Sequence, residues 1–136
     1  MERIELDHER LQKALNRLGQ YIVDYHESQD EETLLKNQTV IIKSFEYCYE
    51  MLWKYLKLYI EQEFGLIVSS PRKVFRECMI QKITNESETK QLLQMVDHRN
   101  LTTHTYHETL GERVCAAIPD HYILMKAVIE RVKPKG

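Results

Sequence analysis

Breakers are scarce in this chain. Four glycines and three prolines among 136 residues leave long stretches without one, which favours helices. Cysteine is scarce as well: Cys48, Cys78 and Cys115 lie far apart and make no CxxC. That usage suits reduced thiols in a cytosol better than a disulfide framework. No apolar run approaches the ~20 residues of a membrane span. The opening MERIELDHER is charged from its second residue and does not read as a signal peptide. A cytoplasmic location is therefore expected. A surplus of positive charge is missing too: the net charge is −2 and the pI near 6.3. There is no electrostatic footprint for coating duplex DNA or an anionic membrane, so any nucleic-acid contact must be local.

What is present is an ordinary globular composition, 43% hydrophobic and 29% charged, in a chain of one domain's length, residues 1–136. Ile4, Leu11, Leu15, Leu18, Ile22 and Tyr25 recur at helical spacing over residues 2 to about 26. HESQDEE breaks the pattern, with Ser28 or Asp30 as cap of the next helix. From residue 31 to about 63, Leu35, Ile42, Phe45, Tyr49, Leu52, Leu56 and Tyr59 share one face, and Gly65 is placed to stop the run. Ser70 then caps, and Pro71 opens, a helix reaching about Ile83, with Val74, Phe75, Cys78 and Met79 on its apolar side. Asn85 or Ser87 caps a fourth helix carrying Leu92, Leu93 and Val96. Residues 108 to 118 read as helix, and Pro119 starts or kinks a last piece with Tyr122, Met125, Val128, Ile129 and Val132. The expected fold is all-α: an up-and-down four-helix bundle with an additional C-terminal helical segment.

The fourth helix leads into DHRNLTTHTYHE, residues 97 to 108, which holds three of the six histidines. On a helical wheel with Leu92 at zero the core direction lies at about 40°, and Thr103, His107 and Asn100 fall at about 20°, 60° and 80°. The polar groups extend the core-facing stripe. Buried unpaired polar groups cost roughly 1–3 kcal/mol each, so the stripe is expected to face a wet cleft or a second subunit, or the helix end to leave the bundle. Arginine offers a planar fork that matches phosphate oxygens, and histidine exchanges a proton near neutrality. Together they suit RNA cleavage without a metal. The base takes the ribose 2′-hydroxyl proton, the oxygen attacks the adjacent phosphorus, and the guanidinium stabilises the developing charge. DNA lacks that hydroxyl. Arg-x4-His occurs twice; the copy Arg3 to His8 lacks the Asn and Tyr that make Arg99-Asn100-x-x-x-His104-x-Tyr106 restrictive.

KSFEYCYEMLWKYLK, SSPRKVFRECM and DHRNLTTHTYHE, in that order, resemble the HEPN domains. The likeness is greatest to the bacterial subgroup called nucleotidyltransferase substrate-binding proteins, and it covers roughly Leu11 to Val132. The resemblance implies a homodimer whose motif helices meet near the axis. It also implies a partner, an ATP-using minimal nucleotidyltransferase acting as antitoxin to a metal-independent RNase toxin. Carried over, Arg99 and His104 are catalytic, Asn100 and Thr103 position them, and Tyr106 receives AMP from the partner. No cofactor and no resident metal are implied. The alternative is a non-catalytic module that binds nucleotide or substrate for the nucleotidyltransferase.

Blander readings stand beside these. His104 can be a surface histidine and Arg99 an ordinary ion-pair partner. His98, His104, His107 and Asp97 can bind zinc or iron, as Glu5-x-x-His8 can in half of a di-iron pattern. Arg72 and Arg76 either guide phosphates or form a solvated face. Tyr47, Tyr49, Trp53, Tyr55 and Tyr59 either stack bases or pack in the core or a dimer interface. Glu46 and Glu50 either pair with a motif arginine across the dimer or sit on the surface.

Overall fold

A computed structural model describes residues 2–104 and 108–135. Five helices account for nearly all of it: α1 (Arg3–His26), α2 (Glu31–Phe64), α3 (Pro71–Ile80), α4 (Glu86–Leu101) and α5 (Glu108–Arg131). Among the described residues there is no strand. Nor is any helix long and apolar enough to cross a membrane.

The helix starts follow the expected chemistry. Asp30 accepts the Thr33 N–H at 2.8 Å and caps α2. Ser70 caps α3, whose first residue is Pro71. Asn85 and Glu88 form a reciprocal capping box at α4, with bonds of 2.8 and 3.0 Å. Gly65 ends α2 at φ 67°, in the left-handed region that a β-carbon disfavours.

Two ends differ from expectation. Helix α3 stops at Ile80 because Lys82 adopts φ 62°. Lys82 N–H bonds Met79 O, and Ile83 N–H bonds Cys78 O at 2.8 Å. These two bonds make a Schellman closure on a residue that is not glycine. Helix α5 runs unbroken through Pro119, at the cost of the N–H that would have bonded Cys115 O.

Helix α2 is the hub and packs against α1, α3 and α5, while α5 also packs against α1 and α4. Leu11, Leu15, Leu18, Phe45, Leu52, Leu56, Phe75, Leu92, Met125 and Val128 make the core between them. Leu35 and Met79, expected inside, are 48% and 40% exposed. Of the aromatic series on α2, Tyr49, Tyr55 and Tyr59 are core residues, Trp53 is half-buried, and Tyr47 is exposed. Gly19 permits a close crossing of α1 and α5: a β-carbon there would lie 2.8 Å from Tyr122 Cζ.

Candidate functional site

The motif does not stay on one α-helix. Helix α4 ends at Leu101, and Thr102–His104 form a 3-10 turn. The tighter winding shifts the wheel, so Thr102 is buried while Thr103 and His104 are exposed. Thr102 is the residue that the sequence reading missed. Its hydroxyl donates to Arg99 O at 2.7 Å and accepts from Arg99 Nη1 at 2.9 Å, so it holds the arginine at both ends. Thr103 Oγ1 donates to Asn100 O at 2.9 Å. Tyr106 and His107 lie outside the described residues.

Arg99 reaches from α4 to α2. Its Nη1 lies 3.2 Å from Glu46 Oε2, and its Nε lies 3.8 Å from Glu50 Oε1. Both carboxylates therefore meet the motif arginine within the same chain, where the sequence offered a pairing across a dimer or a place on the surface. At 3.8 Å the second contact is ionic but too long for a hydrogen bond. Among the described residues, Arg99 Nε is a buried donor without a hydrogen-bond acceptor. Glu50 is shared: Trp53 Nε1 donates to its Oε2 at 3.1 Å.

Beside Arg99 is a cleft of about 530 Å3 between α2, α3 and α4, lined by Tyr49, Glu50, Trp53, Arg72, Asn100 and Thr103 among others. Arg72 bonds Asp97 at 2.7 Å and so ties the start of α3 to the turn that precedes Arg99. Burial pushes the Tyr49 phenol up to about 12, so it stands at the cleft as a neutral hydroxyl. The remaining motif residue, His104, is exposed in the 3-10 turn.

The other histidines separate from these. His8 is buried and its Nε2 meets Ile129 O at 2.9 Å, a structural tie between α1 and α5. His98 turns away from the cleft to α5, where its Nδ1 lies 2.6 Å from Nε2 of the buried His121. The His121 ring stacks on Phe45 at 5.8 Å. Burial, and then the neighbouring His98, lower His121 to about 4; burial, and then Arg113, lower His98. The sequence offered no signal for His121, because a lone histidine on an apolar face has no pattern. Among the described residues, no group of three or more His, Cys, Asp or Glu side chains is placed to hold a metal ion.

Fold and cleft together define a class: a small helical bundle with a cleft beside an arginine of its fourth helix. The family model described as "Nucleotidyltransferase substrate binding protein like" matches residues 6–133, and this chain belongs to that family. A Thermus thermophilus protein of known structure is 31% identical, with a TM-score of 0.82 over 91% of this chain and 99% of its own. A Haemophilus influenzae protein, reported as showing the fold of a substrate-binding domain of a nucleotidyltransferase, is 20% identical. Its TM-score is 0.82 over 93% of this chain and 99% of its own. The tri-AMPylated HEPN toxin of Shewanella oneidensis, solved in complex with its MNT antitoxin, is 20% identical. Its TM-score is 0.75 over 99% of this chain and all of its own, 100%. At that identity the last two share the fold. No curated protein matches the chain at a significant level.

Proposed function

We propose that this protein is the RNase toxin of a toxin–antitoxin pair whose antitoxin is a minimal nucleotidyltransferase. The observation that carries the reading is the setting of Arg99: held by Thr102 and two carboxylates, at a cleft, with a buried Nε that lacks an acceptor among the described residues. A guanidinium has five donors in a fixed fork, and Nη1 alone serves Glu46 and Thr102. The Nη2 donors suit a phosphate oxygen in the cleft. His104 takes the ribose 2′-hydroxyl proton. The 2′-oxygen bonds to phosphorus, the bond from phosphorus to the 5′-oxygen breaks, and that oxygen leaves with a proton taken from solvent water. The products are a 2′,3′-cyclic phosphate and a 5′-hydroxyl. Arg99 stabilises the charge on the phosphoryl oxygens, and Asn100 and Thr103 position Arg99 and His104. A homodimer brings two such motifs together, and AMP transfer to Tyr106 by the partner silences them.

A second reading has its own support. Two carboxylates beside Arg99 offset much of its charge, and the family's description is that of a substrate-binding protein. In this reading the chain binds a nucleotide for the nucleotidyltransferase and cleaves nothing. Induced expression decides between them. A toxic wild type and a harmless His104→Ala variant support the RNase; a wild type without effect on growth favours the binding subunit. Mass spectrometry after co-expression with the partner checks Tyr106, where added AMP is expected.

A further inference from the structure

Trp53 lines two clefts. One is the Arg99 cleft of about 530 Å3, and the other, of about 310 Å3, is also lined by Arg3, Lys54, Lys57, Leu58 and Glu61. The second cleft lies where the start of α1 meets α2. Its charged lining is three cations against one carboxylate, in a protein whose net charge is −2. Lys54 is offset by Glu50 at 3.8 Å and Arg3 by Asp7 at 3.5 Å. Lys57 is half-buried and, among the described residues, makes no ion pair. An ammonium without a counter-ion, set beside two further cations, offers a place to an anion from outside.

We infer that the two clefts form one track for single-stranded RNA. A phosphate sits at Arg99, a base stacks on the Trp53 indole, and the next phosphate lies over Lys57 and Arg3. This inference rests on the RNase reading for its substrate class, and extends it to residues outside the motif. Alternation of cation, aromatic face and cation is the pattern of single-strand binders, in which bases stack and the groove follows the backbone. Duplex is disfavoured, because a base must leave its neighbours to reach the indole. Each cleft lies within or near the range of small-ligand sites, ~300–1,000 Å3. Glu50 couples them, since it faces Arg99 with one oxygen and bonds Trp53 with the other.

Trp53 is the chain's one tryptophan, so its fluorescence reads the track directly. The probe is octauridylate, added to the full-length His104→Ala protein to prevent turnover. Quenching is expected, with an affinity reduced at least about tenfold by Lys57→Glu. Lys57→Ala should also make the salt dependence shallower by about 0.7 in log–log slope. Lys36→Glu changes charge equally at an exposed position near the far end of α2 and should bind as the parent does. Arg3→Glu, at the exposed start of α1, repeats the test should Lys57→Glu fail to fold by circular dichroism. Absence of quenching overturns the track. So does equal weakening by Lys36→Glu, or equal quenching by polyglutamate, which would mark an acidic protein partner. Wild-type cleavage of the same RNA is scored separately: cleavage without quenching keeps the RNase and removes the track, and quenching without cleavage does the reverse.

Discussion

Thr102 closes a small ring with Arg99, accepting from the guanidinium and donating to the backbone carbonyl of the same residue. Valine has nearly the same shape and can do neither. Thr102→Val is therefore expected to lower stability by about 1 kcal/mol. It should lower RNA cleavage about tenfold through kcat, because a loosened arginine still binds but no longer meets the transition state in place. Equal loss in KM alone would mean that Thr102 serves only binding. The pair of half-buried His98 and buried His121 makes a different prediction. His121 titrates near 4 when folded, against ~6.5 when exposed. Between those values the unfolded chain holds the proton more tightly, so stability is complete above about pH 6.5 and falls as the pH drops toward 4. Between pH 7.5 and 5 the loss from this residue is about 2 kcal/mol. Urea midpoints at the two pH values measure it, and His121→Gln should remove most of the difference. An unchanged difference in that variant would mean that other groups carry the acid sensitivity.

At the scale of elements, the boundary of α3 is the informative one. A left-handed backbone costs an L-residue roughly 1–2 kcal/mol, and Lys82 bears that cost at φ 62°. Lys82→Gly is expected to stabilise the protein by about 0.5–1 kcal/mol, after the entropy that glycine adds to the unfolded chain. A lower melting temperature in Lys82→Gly would mean that the lysine side chain outweighs the backbone strain. Such a closure is invisible in a sequence that has no glycine there, which is why α3 reads three residues too long. Where the end signal is a side chain with one clear partner the sequence did better: it was sufficient at Ser70, and at Asp30 and Asn85 it offered the right residue beside one alternative each, Ser28 and Ser87. The motif shows the same division. Arg99 and Asn100 stood out as candidates by type and by resemblance, with a cleft as one of three settings left open, and both line the cleft between α2, α3 and α4. The exchange of Thr103 for Thr102 as the buried threonine was not, because a wheel assumes that the helix continues past Leu101. The carboxylates of α2 were visible as candidates, but their placement beside Arg99 depends on how α2 and α4 cross, and spacing along either helix carries no such information.

Across the whole molecule, the end of α5 is closed by other helices. Helix carbonyls of the last turn lack intrahelical donors. Here Ile129 O receives His8 from α1, and Val132 O, just beyond the helix, receives the Tyr55 hydroxyl from α2. The two rings also touch each other, with centroids 5.3 Å apart. The chain's start, middle and end are thus joined at one buried point. The same part of the bundle sets Arg3, at the start of α1, against Lys54 and Lys57 of α2. Tyr55→Phe keeps the packing and leaves a buried carbonyl without a donor, which is expected to cost about 1–2 kcal/mol. His8→Leu should cost a similar amount at Ile129. Because the rings share a contact, the double variant should depart from additivity by at least about 0.5 kcal/mol. Denaturant midpoints of the parent, the two single variants and the double variant provide the cycle. Strict additivity would show that α1 and α2 hold the end of α5 independently, and that these two bonds do not act as one clasp.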